Sequence, residues 1–348
     1  MGLRLEDKWV WDFWFAEDGD KTHVFFLQAP RSLADPDLRH RNARFGHAVS
    51  TDLTNWTLLP DPLTGSAPGS WDDLATWTGS ITRVGDTWHL LYTGVSTRDS
   101  GLVQRIGLAT SRDLVHWERF GDQPVIEADP TWYELLDVDA WHDQAWRDPW
   151  VIADPAGDGY HALITARSRS GPPDARGVIG HAVSADLRRW EVLPPFPSPA
   201  GFGQLEVPQV VEAGASTLLV FCTADHHLSA ARRHGLERKP ATGTYICRVP
   251  GLLGPFDVPE STPMGAYTDL YAGKLVRRGG DWFVMGFLDT IEGEFVGELS
   301  DPIPFDPTVE LPLAASLRAP SEALSQAAAP RLDPRAVPQT QPMGPRRC

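Results

Sequence analysis

Asp12, Asp148 and Glu206 are carboxylates in three settings that glycosidic bond chemistry can use. Asp12 lies in Trp9-Val10-Trp11-Asp12-Phe13-Trp14. Aromatic faces there stack on the apolar faces of sugar rings, while a carboxylate below the anomeric carbon attacks it or stabilises its positive charge. Asp148 lies in Arg147-Asp148-Pro149, where the proline is expected to hold it extended and Arg147 to keep it ionised by pairing. An ionised acid that need not move is suited to gripping sugar hydroxyls in a transition state. Glu206, in Gln204-Leu205-Glu206-Val207-Pro208, has apolar neighbours, expected to raise its pKa and favour the protonated form a general acid needs. Singly, each acid has a plainer explanation: a cap between core tryptophans, a turn, a partly exposed strand residue. What joins them is their place in a repeat.

Five stretches share one plan of a short apolar strand, a polar turn rich in Gly or Asp, and a second apolar strand. They begin at Asp12 (DFWFAEDGDKTHVFFLQ), Thr78 (TGSITRVGDTWHLLYTG), Asp148 (DPWVIADPAGDGYHALITA), Glu206 (EVPQVVEAGASTLLVFCTA) and Tyr271 (YAGKLVRRGGDWFVMGF). A period of roughly 60 residues carrying several strands predicts a propeller, whose repeats cannot bury their own faces and must stack on their neighbours. The expected fold is all-β, a five-bladed β-propeller in a single domain over residues 1–313. Blade openings point into the central funnel, so three acids at matched openings would meet there.

A second repeat lies inside the first: GHAVSTDLTNW from 46, GLATSRDLVHW from 107 and GHAVSADLRRW from 180. Each reads as a half-buried strand, a Ser-x-Asp turn and the Trp of the next strand, the outer hairpin of a blade. Asp52, Asp113 and Asp186 recur at equivalent places, so their expected task is to hydrogen-bond the turn backbone. The outer hairpins of the last two blades, at 244–258 and 295–306, are degenerate. The connections at 121–146 and 226–243 are expected to cover the rim of the funnel. From 314 to 348 the chain is Ala/Pro/Arg-rich without periodicity and is expected to be a disordered tail.

The chain of 348 residues is 42% hydrophobic and carries 31 Lys plus Arg against 46 Asp plus Glu, a net charge of −15. That balance argues against nucleic acid or an anionic membrane as partner and suits a neutral carbohydrate. Three cysteines, Cys222, Cys247 and Cys348, have no pair at metal-ligand spacing, so neither a disulfide framework nor a zinc site is indicated. No cofactor or catalytic metal is expected; His226-His227 reads as a solvated pair. Asp137 and Asp139 offer hard oxygen ligands without fixing a count or geometry. The N-terminus has no apolar run behind a basic segment, which together with the cysteine usage predicts a cytoplasmic protein.

Together these segments resemble the five-bladed propeller glycosidases of glycoside hydrolase families 32 and 68, the invertase and levansucrase clan. The opening Trp-x-x-Asp with His23-Val24-Phe25-Phe26-Leu27-Gln28 is similar to the family 32 nucleophile segment. Phe45-Gly46-His47-Ala48-Val49-Ser50, Trp77-Thr78-Gly79-Ser80, Arg147-Asp148-Pro149 and Asp269-Leu270-Tyr271-Ala272 resemble further motifs of those families, in the same order. The resemblance runs from residue 4 to about 312. It implies Asp12 as nucleophile, Asp148 as transition-state stabiliser and Glu206 as acid/base. Trp11, Gln28, Trp77, Arg147, Asp269 and Tyr271 become sugar-binding candidates.

Such enzymes retain anomeric configuration, with two carboxyl groups about 5 to 5.5 Å apart across the scissile bond. The expected activity is that of a retaining β-fructofuranosidase acting on sucrose or a short fructoside through a fructosyl-enzyme. Three departures mark the limits of the resemblance. Trp11 stands where family 32 has Asn and Val207 follows the acid/base where it has Cys, both bearing on substrate choice, and the C-terminal β-sandwich usual in family 32 is not expected after the fifth blade. The alternatives are fructosyl transfer to a sugar acceptor, an arabinofuranoside-acting glycosidase of the same fold, and a non-catalytic carbohydrate-binding propeller.

Overall fold

Apolar alternation on either side of a tight polar turn folds into antiparallel hairpins, and where two such hairpins follow each other they extend into one sheet. The computed structural model describes residues 2–63, 65–157, 159–196, 201–234, 242–256, 258–264 and 270–308. Within them lie five four-stranded sheets. The first contains β1 (Lys8–Asp18), β2 (Lys21–Pro30), β3 (Arg44–Ser50) and β4 (Thr57–Leu59). The second contains β5 (Ala75–Val84), β6 (Thr87–Val95), β7 (Arg105–Ser111) and β8 (Trp117–Arg119). The third contains β9 (Trp146–Ala153), β10 (Tyr160–Arg167), β11 (Gly177–Ser184) and β12 (Glu191–Phe196). The fourth contains β13 (Glu206–Ala213), β14 (Ser216–Thr223), β15 (Gly243–Val249) and β16 (Thr262–Pro263). The fifth contains β17 (Leu270–Arg278), β18 (Asp281–Ile291), β19 (Glu294–Leu299) and β20 (Ile303–Phe305).

The innermost strands β1, β5, β9, β13 and β17 each contact the next, and β17 contacts β1, which makes the ring of a five-bladed propeller. The segment from 314 on lies outside the described residues. The ring is latched where its ends meet: Leu299 N donates to Leu3 O at 3.0 Å, and Arg31 Nη2 to Val296 O at 3.0 Å. The cores lie between the blades. Trp14, only 1% exposed, stacks on Phe25 at 6.1 Å and meets Phe45 edge-on at 5.2 Å. Truncating so large a buried ring typically costs about 3–5 kcal/mol.

The Ser-x-Asp turns do what their repetition predicts. Asp52 Oδ1 accepts from Thr54 N and Asn55 N at 2.9 and 2.7 Å, and Asp113 and Asp186 take the matching pairs of amides. These bonds hold all three carboxyls below the usual aspartate range. They fix the left-handed residue that follows each: Leu53 (φ 63°), Leu114 (φ 64°) and Leu187 (φ 63°), all buried beneath the turn. In the fourth blade β16 pairs with β15 through two residues only, and in the fifth β20 pairs with β18 instead of β19. The degenerate hairpins are thus shortened or rerouted rather than lost.

One irregularity recurs in every blade. Each inner strand slips register against its partner at the same height, after Trp11, Trp77, Arg147, Glu206 and Tyr271. A bulge adds one residue to the strand and breaks the strict alternation of faces. The last paired residue and the next one can then both face the funnel.

Candidate active site

Those five bulges encircle a cavity of about 640 Å³ at one end of the ring. Trp11 and Asp12, Trp77 and Thr78, Arg147 and Asp148, and Glu206 and Val207 line it as consecutive pairs, joined by Tyr271. Glu206 is therefore out of step with the other acids. By register it corresponds to Arg147 and Tyr271, and Val207 occupies the place of Asp148. Asp12, Asp148 and Glu206 converge although they are not equivalent, because the bulge admits both parities.

The expectation that Pro149 holds Asp148 extended is corrected. Asp148 has φ 56°, and Val207 and Ala272 at the same place have φ 47° and φ 49°. Left-handed backbone at a non-glycine residue costs roughly 1–3 kcal/mol and persists only where the surroundings over-determine it. Here they do. Asp148 N donates to Thr93 Oγ1 at 3.0 Å, its Oδ2 accepts from Thr165 Oγ1 at 2.9 Å, and Val207 N reaches the same oxygen at 3.2 Å.

The protonation pattern also differs from expectation. Burial raises the pKa of Asp12 to about 7, the charge of Asp148 adds to this, and the bond from Thr78 Oγ1 at 2.9 Å offsets only part. Burial likewise raises Asp148 and outweighs the nearby Arg147. Burial pushes Glu206 upward too, but Arg147, His227 and the Tyr271 hydroxyl together more than offset it, and Glu206 lies below the usual glutamate range. Apolar sequence neighbours do not set its pKa, because the side chain meets charges from other blades. Arg147 Nη2 lies 2.7 Å from Glu206 Oε1, whereas Arg147 Nε is 3.5 Å from Asp148 Oδ2. The remaining guanidinium donors go to Gln104 Oε1 at 3.1 Å and Gln204 Oε1 at 2.8 Å. Tyr271 Oη donates to the second oxygen of Glu206.

Of the six sugar-binding candidates, Trp11, Trp77, Arg147 and Tyr271 line the cavity. Trp77 is fixed by Nε1 donating to His40 O at 2.8 Å, and the buried Trp11 Nε1 has no protein partner among the described residues. Gln28 does not line the cavity. Its amide nitrogen donates to Phe45 O and Asp61 Oδ1 at 3.0 and 2.9 Å, and its oxygen accepts from Lys8 Nζ at 3.1 Å, so it staples the first blade instead. Asp269 lies outside the described residues.

Residues 15–247 match the sequence model of the glycosyl hydrolases family 32 N-terminal domain. The chain belongs to glycoside hydrolase family 32. An insoluble β-fructofuranosidase isoenzyme of Arabidopsis thaliana is 27% identical over 173 residues, 48% of this chain and 26% of that protein. An extracellular sucrase of Zymomonas mobilis is 24% identical over 86% of this chain and 79% of its own length. An inulosucrase from Halalkalicoccus jeotgali, solved with kestose, superposes with a TM-score of 0.66 at 22% identity, covering 84% of this chain and 79% of that one. The match to the plant relative therefore spans about a quarter of its length.

Both connections expected at the rim of this family 32 propeller reach the cavity. The first brings His142 and Asp143, the second His226 and His227. His227 is thus a half-buried part of the wall, lowered by burial to about 4, whereas His226 at the rim stays solvated as expected. Trp141, packed between the Arg167 guanidinium (3.8 Å) and His227 (5.3 Å), anchors the first connection. Arg39, His40 and Asp289 complete the rim. Sequence reasoning passed over Thr78, Thr165, Gln104 and Gln204, whose types carry no signal until the fold sets them beside an acid. Among the described residues no group of three or more His, Cys, Asp or Glu is placed to hold a metal ion, and no helix is long and apolar enough to cross a membrane.

Proposed function

We propose that this protein is a retaining β-fructofuranosidase-like glycosidase that cleaves sucrose or a short fructoside through a fructosyl-enzyme. The observation that carries this reading is the convergence of Asp12, Asp148 and Glu206 from three blades on one aromatic-walled cavity, with Arg147 bonded to Glu206. Ionised Asp12 attacks the anomeric carbon while Glu206 gives its proton to the departing oxygen and that bond breaks. Water then gives a proton to Glu206 and attacks the same carbon, releasing Asp12. Asp148, held by Thr165 and Val207 N, keeps its other oxygen for sugar hydroxyls. The site must hold one proton between Asp12 and Glu206, and they titrate as a coupled pair. In the free protein the proton favours Asp12; sugar binding has to shift it to Glu206.

The test is release of reducing sugar by purified protein from sucrose, inulin-type and levan-type oligofructosides and an aryl arabinofuranoside, with Asp12→Ala as the blank. Fructose release that falls at least about a thousandfold in the variant is expected. Turnover retained by Asp12→Ala overturns the reading. Product analysis at high sucrose distinguishes hydrolysis from transfer to a sugar acceptor.

A further inference from the structure

Lys274 is a buried cation that the steps above do not use. It lies on β17, 4% exposed, and donates from Nζ to Val207 O at 2.8 Å. It does not line the large cavity, so it touches no ligand bound there; it lines a smaller one of about 210 Å³ with Trp14, Trp150 and Trp282. Val207 is the left-handed residue directly after Glu206, and its own N–H donates to Asp148 Oδ2. Lys274 therefore grips the carbonyl of a residue whose amide orients one candidate catalytic acid and whose preceding neighbour is another. In the next layer Gln209 Nε2 donates to Leu275 O at 3.0 Å and Leu275 N to Gln209 Oε1 at 2.8 Å. That pair keeps β13 and β17 in register while Lys274 sets the bulge.

Holding one carbonyl does not require a charge. Taking an ammonium out of water costs several times what a single carbonyl bond returns. Cys222, Asp148 and Asp12 favour the ammonium electrostatically and offset part of that cost, though burial still outweighs them. The site otherwise sets Asp12, Asp148, Glu206, Asp143 and Asp289 against Arg147, Arg39 and Arg41.

On the reading given under the proposed function, we infer that Lys274 is a positioning residue for the reaction: its ammonium fixes the Glu206-Val207 bulge, and through the Val207 amide the Asp148 carboxylate, and adds positive charge that favours ionised Asp12. The groups facing Asp12 are Asp148, Glu206, the Thr78 hydroxyl, Arg39, Tyr271 and Lys274; those facing Lys274 are Asp12, Asp148, Cys222 and the Trp150 ring. Burial lowers Lys274 to about 8, so it is charged where Asp12 titrates, near 7.

The experiment compares Lys274→Met, Lys274→Gln and Lys274→Arg for kcat, KM and the pH profile of kcat/KM on sucrose. Alongside, the Asp12 carboxyl is titrated by carbon-13 NMR without substrate. In Lys274→Met, kcat falls about 10- to 100-fold, KM stays within about threefold, and the acidic limb moves up by about one pH unit. Lys274→Gln keeps a donor without charge, so kcat partly recovers while the limb stays shifted; Lys274→Arg returns the limb toward wild type. An unmoved limb in both Gln and Met variants, or an equal shift in the Arg variant, overturns the inference. Should the Met variant fail to fold, the Gln and Arg variants decide. Should wild type release no sugar, the proposed function falls, and the NMR titration decides alone: an upward shift of Asp12 in Lys274→Gln supports the role, and no shift overturns it.

Discussion

Arg147 Nη2 lies 2.7 Å from Glu206 Oε1, closer than any guanidinium nitrogen comes to Asp148, its own neighbour in sequence. Hydrogen bonds to charged groups are worth about 1.5–3 kcal/mol, roughly twice a neutral bond. Arg147 thereby decides which of the three acids is ionised in the free site. Replacing it by lysine keeps the charge but loses the planar fork that spans Gln104, Gln204 and Glu206. Arg147→Lys is expected to lower kcat/KM on a cleaved fructoside by about 100-fold. A loss under tenfold would show that the fork is not needed.

Tyr271 Oη donates to Glu206 and, with Arg147 and His227, holds its pKa down against the burial that raises it. Removing that donor lets Glu206 keep its proton to higher pH. In Tyr271→Phe the basic limb of kcat against pH should therefore move up, with kcat near its optimum about tenfold lower. A limb that stays in place, or moves down, contradicts the assignment of Glu206 as the proton donor.

Asp12 couples stability to pH. Its folded pKa of about 7 lies above the ordinary value of 3.8, so its neutral form is favoured in the fold. The contribution is fully present below about pH 4 and is lost as pH rises through 7. Three units correspond to at most about 4 kcal/mol. Asp12→Asn should leave Tm near wild type at pH 4 and raise it by a few degrees at pH 8. Thermal melts across that range check this; equal shifts at both ends would mean that Asp12 is not strained by ionisation.

Asp113 is a turn acid remote from the cavity, bonded to Val115 N and His116 N at 2.9 and 2.8 Å. Asp113→Ala is expected to lower Tm by a few degrees and leave kcat/KM within about twofold. A tenfold loss of activity without a change in Tm would assign this repeated acid a part in the chemistry.

The sequence by itself determined the five repeats, the inner and outer hairpins, the structural task of Asp52, Asp113 and Asp186, and the meeting of Asp12, Asp148 and Glu206. These follow from periodicity and from a residue type recurring or failing to recur, which are local properties. The tertiary structure alone decided the rest. That Glu206 reaches the funnel from a register one residue away from that of Asp148 depends on the bulge in each inner strand, and a bulge exists only relative to a partner strand. That Gln28 sits off the cavity wall, its amide bonded to Phe45 O, Asp61 and Lys8, is likewise invisible in its motif. The ionisation of Glu206 and the elevated pKa of Asp12 come from burial and from Arg147 and Asp148, which the third blade brings to the first and the fourth. Lys274 gave no signal in YAGKLV, because a lysine in a strand is informative only once closure of the ring has buried it against the carbonyl that follows Glu206. Electrostatic energy depends on distance and dielectric in space, and neither is a function of separation along the chain.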